Sequence, residues 1–192
     1  MTKASFIIAC DARHFVIERY TDRDIDLRGK AIISLPDNLT VNGDLNLAWT
    51  PITELPDSLA VRGSLDLSGT DITKLPDNLK VGGSLNLHGT RITKLPANLT
   101  VGCDLILDGC TYIPELPSNL AVGRSLDLSG TGITKLPDDL TVGGDLLLHG
   151  TPIAELPDDL KVGGEVYGFN PPSLAAPSGT RPDAVPDRRP QP

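Results

Sequence analysis

Four residues of reactive type recur at one position along this chain: His88, Asp108, Ser129 and His149. Together they have the residue types of a nucleophilic hydrolase, in which a carboxylate orients a base and the base takes a proton from serine. If the four stand on successive strands, backbone neighbours are about 4.8 Å apart, and His88 reaches Asp108. A nucleophile also needs donors for the oxyanion and a pocket that excludes water. An open face without insertion loops supplies neither, so no catalytic residue is expected. His88 and His149 lie three copies apart, too far to share a metal. The chain has many carboxylates, but neither an EF-hand loop nor a Gly-Asp nonapeptide repeat. Neither a metal nor a cofactor is expected. Cys10, Cys103 and Cys110 are odd in number and lack metal-ligand spacing, which reads as free thiols in a reducing compartment.

Composition narrows the classes further. The chain has 192 residues, a net charge of −8 and a pI near 4.7. A nucleic-acid partner would demand a basic stripe, and none is present. No apolar run approaches the length of a membrane span, so no membrane partner is expected. Residues 6–10 form too short an apolar core for a signal peptide, and Asp11 ends it. These readings point to a cytoplasmic protein. With three Phe, three Tyr and one Trp, the core must come from Leu, Ile and Val.

What positions the reactive residues is a repeat. Residues 72–91 read ITKLPDNLKVGGSLNLHGTR, and near-copies begin at 32, 52, 92, 113, 133 and 153. The copy at 92 is one residue longer, through Thr111-Tyr112. Each copy holds too few apolar residues to fold alone, so stacked copies must share a continuous core. Leu85 and Leu87 alternate with polar neighbours, which predicts a strand with one buried face. Ile92, Leu95, Leu99 and Val101 follow as inward residues, and Pro96 forbids a helix interior. The turn before each strand holds at least one glycine (Gly43, Gly63, Gly82-Gly83, Gly102, Gly123, Gly143-Gly144, Gly163-Gly164), which predicts a backbone position with positive φ. The same segment leaves room for a second short parallel strand near Leu-x-Val.

The strand-and-turn motif LxLxxTxI followed by LPxxL resembles the leucine-rich repeat family. Its short period is similar to a bacterial subclass found in secreted effectors. The resemblance covers residues 24–168 and implies a right-handed coil, a parallel sheet on a concave face and little helix. A three-sided parallel β-helix is the alternative fold. The family's asparagine ladder position here holds Thr50, Thr70, Thr90, Cys110, Thr131 and Thr151, so threonine is expected to carry the ladder. Some relatives add a ubiquitin-ligase domain with a catalytic cysteine. Here 22 residues follow residue 170 and none is Cys, so that activity does not carry over. The organisation read from the pattern is an N-terminal cap over 1–23, a solenoid over 24–169 (a partial repeat plus seven copies) and a Pro-rich flexible tail over 170–192. The cap suits a hairpin of Ser5–Ala9 with His14–Glu18, or a helix over 11–20, with the hairpin favoured.

In the family the outward strand residues line the binding face, and three columns follow. The first runs from Asp24 through Asp44, Ser64, Ser84, Asp104, Ser125 and Asp145 to Glu165. The second is Asp26, Asn46, Asp66, Asn86, Ile106, Asp127, Leu147 and Tyr167. The third is Arg28, Ala48, Ser68, His88, Asp108, Ser129, His149 and Phe169. Nine carboxylates face one arginine, so the face favours a basic protein partner. The bland alternative is a solvated face kept soluble by small acids. Ile106, Leu147, Tyr167 and Phe169 favour binding, because a solvated face gains nothing from them. The expected partner-binding set is Trp49, Asp66, Asn86, His88, Asp104, Ile106, Asp108, Asp127, Asp145, Leu147, His149 and Tyr167. The apolar C-terminal end also offers a contact for a second copy.

Trp49 replaces a turn glycine and is expected to cover the N-terminal cap or to anchor a partner. Glu54, Lys74, Lys94, Glu115, Lys135 and Glu155 form a charged row that tunes stacking. The leading expectation is a non-enzymatic protein-interaction scaffold. The alternatives are the recognition module of an effector secreted into a host cell, and a β-helix enzyme acting on polysaccharide. The enzyme reading lacks paired loops and an aromatic sugar platform.

Overall fold

The computed structural model describes residues 23–170 in full and, before them, the backbone of strand residues 5–10, 13–18 and 20–21. Within these residues the chain is a parallel β-solenoid of about seven turns without helix. Its repeating unit follows from the six inward residues of one coil. Leu65 and Leu67 leave the first strand, Ile72 and Leu75 line the next side, and Leu79 and Val81 lead into the second strand; all are buried. The same six positions are filled in coil after coil, which makes one continuous aliphatic core.

Each coil contributes one two-residue strand to each of two parallel sheets. The first sheet runs from Ile25–Asp26 to Val166–Tyr167 and the second from Tyr20–Thr21 to Lys161–Val162, with eight strands in each. Register is exact to the repeat: Leu85 pairs with Leu65 and Leu105, and Val101 with Val81 and Val122. The second sheet is therefore present where the Leu-x-Val segment predicted it. Its first strand, Tyr20–Thr21, already pairs with Thr40–Val41, inside the segment read as cap.

The third side is made of turns. In LPxxL the proline carbonyl accepts the N–H of the second leucine, as in Leu79 to Pro76 at 3.1 Å and Leu59 to Pro56 at 3.0 Å. Proline suits this corner because its missing donor is not needed there. Among the described residues a single bridge, Lys74 with Lys94, links coils on this side. The three-sided alternative thus has sheet on two sides only.

Before the coil, β1 (Ser5–Cys10) pairs antiparallel with β2 (Arg13–Glu18), with Ala9 opposite His14. The segment is the favoured hairpin and not a helix. The Pro-rich tail beyond residue 170 lies outside the described residues.

Candidate functional site

The first outward column is a ladder of side chains. Asp24 Oδ1 accepts the N–H of Asp44 at 2.8 Å, and Asp44 Oδ1 accepts that of Ser64 at 2.7 Å. Ser64 Oγ then accepts from Ser84, and Ser84 Oγ from Asp104, each at 3.2 Å. Asp104 Oδ1 serves Ser125 at 3.0 Å, Ser125 Oγ serves Asp145 at 3.2 Å, and Asp145 Oδ1 serves Glu165 at 2.9 Å. Each short acceptor satisfies a backbone donor one coil further on. Asp104 and Asp145, read as partner-binding residues, have one oxygen committed to this ladder. The sequence signal was there: only Asp and Ser occupy the column until Glu165, which has no following strand to serve among the described residues.

That ladder corrects the expectation placed on threonine. Thr50, Thr70, Thr90, Thr131 and Thr151 each donate to the carbonyl three residues earlier, at 2.7–2.8 Å. They close the turn within their own coil, and only Thr90 among them also meets a side chain of the next coil. Cys110 differs: its thiol donates to the carbonyl of Leu87 in the preceding coil at 2.9 Å and lies 3.5 Å from Thr90 Oγ1. Burial pushes the Cys110 thiol pKa up, against the opposing hydrogen bonds from Thr90.

The second column caps turns. The Oδ1 atoms of Asp26, Asn46, Asp66, Asn86 and Asp127 each accept the N–H two residues later, at 2.9–3.1 Å. These are Asx-turns, in which a short side chain mimics the backbone. Asp66, Asn86 and Asp127 therefore have a local structural task. Ile106, Leu147 and Tyr167 break the rule, and no side chain caps the N–H of Asp108 or His149 among the described residues. Ile106 and Leu147 are half-buried and Tyr167 is 46 % exposed.

In the third column His88 Nδ1 stands 3.0 Å from Asp108 Oδ2, as the strand spacing predicts. Ser129 lies on the other side of Asp108, two strands from His88, or about 9.6 Å at the backbone. The carboxylate sits between base and serine, so these three residues do not form a triad. His149 follows one coil beyond Ser129. No group of three or more His, Cys, Asp or Glu among the described residues could hold a metal.

The glycine turns also differ from expectation. The positive-φ glycines follow the first-sheet strand: Gly29, Gly69, Gly89, Gly109, Gly130, Gly150 and Gly168. The glycines before the strand have ordinary φ and are small for another reason. A Cβ on Gly102 would overlap the carbonyl oxygen of Gly82, and one on Gly123 that of Gly102. Close backbone approach between coils, not handedness, selects glycine there.

Trp49 occupies the positive-φ corner, with φ of 59°. Its indole stacks onto Gly69 in the following coil and remains 65 % exposed. The observed contact is thus with the following coil, and the side chains of the N-terminal cap lie outside the described residues. Tyr112, in the one-residue insertion, is likewise exposed. Among the described residues the charged row from Glu54 to Glu155 forms no ion pair. Pairs elsewhere include Arg91 with Asp71 at 3.4 Å and Arg124 with Asp104 at 3.7 Å.

A surface hollow of about 540 Å³ lies over the second sheet beside Arg62, Lys80 and Asn98, and another of about 590 Å³ lies on the turn side beside Glu54, Asp71 and Lys74, both away from these columns. The fold and its ladders define a parallel β-solenoid with an outward face of short acids. No protein-family model matches the chain, and no curated protein matches it. No described helix is long and apolar enough to cross a membrane.

Proposed function

We propose that the chain is a non-enzymatic protein-interaction scaffold of the leucine-rich repeat kind, binding a basic partner on the face of its first sheet. One observation carries this reading. The second column caps its turns with Asp or Asn from coil to coil, yet Ile106, Leu147 and Tyr167 abandon the cap. Each lost bond costs about 0.5–1.5 kcal/mol. An apolar side chain on an otherwise polar face recovers that cost only when something covers it. The free oxygens of Asp108, Asp127 and Asp145 surround this apolar strip and would steer cationic side chains toward it.

The test is random-peptide phage display against the immobilised full chain. Enriched peptides should combine Lys or Arg with apolar residues, and should be lost when Ile106→Asn and Leu147→Asn are made together. Lack of enrichment, or equal enrichment on the variant, overturns the reading.

A further inference from the structure

The C-terminal end of the coil is open in two ways. First, its core is uncovered. Leu136, Leu140, Val142 and Leu146 are buried, whereas their counterparts one coil later, Leu156, Leu160, Val162 and Val166, are only partly so. Second, its edge backbone has no strand partner among the described residues. In the first sheet each strand donates to the next coil, as Leu146 donates to Glu165 at 2.9 Å and Leu148 to Tyr167 at 2.8 Å. The N–H groups of Val166 and Gly168 therefore face outward, with no further coil among the described residues to accept them. A solenoid end of this kind exposes core unless something caps it.

We infer that residues 171–192 of the same chain dock on this end and cap it. Three observations select this occupant. The chain leaves the last coil at Asn170, so the 22 residues that follow start at the uncovered core. Tethering sets their effective concentration near the millimolar range, above that of a second copy in dilute solution. Their chemistry also matches. Pro171 and Pro172 bring carbonyls, the acceptors that the outward N–H groups of Val166 and Gly168 lack among the described residues. Leu174 is the first long aliphatic residue after the last coil. Charge agrees as well. The last coil, residues 153–169, carries Glu155, Asp158, Asp159 and Glu165 against Lys161, a net of −3. Residues 171–192 carry Arg181, Arg188 and Arg189 against Asp183 and Asp187, a net of +1. Two copies joined end to end by a two-fold axis would set −3 against −3.

Hydrogen exchange read by mass spectrometry on the full chain tests the inference. In the wild type the peptide spanning residues 156–169 should exchange slowly. Leu174→Asp should speed it at least tenfold and leave residues 85–107 unchanged; Arg181→Glu should speed it by a smaller factor. The same exchange rate at 156–169 in wild type and Leu174→Asp overturns the docking. So does protection that grows with protein concentration alongside a dimer in sedimentation, which would name a second copy as the cap.

Discussion

The indole of Trp49 occupies the space that a side chain on Gly69 would need: a Cβ there would stand 2.7 Å from indole Cδ2. Both residues hold positive φ, at 59° and 65°. Trp49 therefore sits in a conformation that costs a non-glycine residue about 1–2 kcal/mol, supported by a neighbour that must remain glycine. Gly69→Ala should destabilise the chain by about 2–4 kcal/mol, combining the left-handed cost with overpacking. In a Trp49→Gly background the same change should cost only the left-handed part. Urea denaturation of the four proteins should thus give a coupling of about 1–2 kcal/mol. Independent effects would show that the ring does not rest on Gly69.

The ladder of the first column makes a paired prediction. Asp44→Ala removes the acceptor for Ser64 N–H and should cost about 1 kcal/mol. Asp44→Asn keeps an oxygen in place and should cost less than half of that. Glu165→Ala, at the end of the ladder, should fall within about 0.5 kcal/mol of wild type, as surface changes do. An equal loss at Asp44 and Glu165 in urea midpoints would argue against a directional ladder.

Cys110 predicts a pH effect. Burial raises its thiol pKa in the folded chain. As pH rises, the unfolded chain loses this proton first, near pH 8.5. The folded state then holds the extra proton, and stability falls with pH. The contribution is complete below the ordinary thiol value and is lost as pH climbs toward the raised folded value. Cys110→Thr places a hydroxyl where the other coils have one and removes the titration. Comparison of urea midpoints at pH 7 and pH 10 should show a smaller alkaline loss for Cys110→Thr than for wild type. Equal losses would count against the buried thiol as the source.

The coil was legible because its core obeys simple alternation: Leu85 and Leu87 inward, Asn86 outward, then Ile92 and Leu95 at the next corner. Even the second sheet could be placed, since Val81 and Val101 recur directly before each glycine turn. The division of labour among polar residues was harder to read. Threonine drew the ladder role by resemblance, yet its hydroxyl donates to a carbonyl of its own turn, as Thr70 does to Leu67. The real ladder residues, such as Asp104 and Ser125, looked like a solvated or binding column, because an outward carboxylate has the same pattern whether or not it meets a backbone donor. The glycines misled in a related way. Gly102 and Gly69 are alike in sequence, but one is small to admit a neighbouring carbonyl and the other turns left-handed. The direction of the Trp49 ring had no sequence signal.

Recognition by the first-sheet face turns on the break in the second column, where Ile106 and Leu147 forgo a cap that Asp66, Asn86 and Asp127 make. Asparagine at both positions should restore two Asx-turns, so structure and recognition are expected to move in opposite directions. The decisive measurement takes the Ile106→Asn, Leu147→Asn double variant and records two quantities. Its urea stability should match or exceed wild type by up to about 2 kcal/mol. Its calorimetric affinity for the basic, apolar peptide selected on wild type should fall at least tenfold. A variant that binds this peptide as tightly as the wild type contradicts the account.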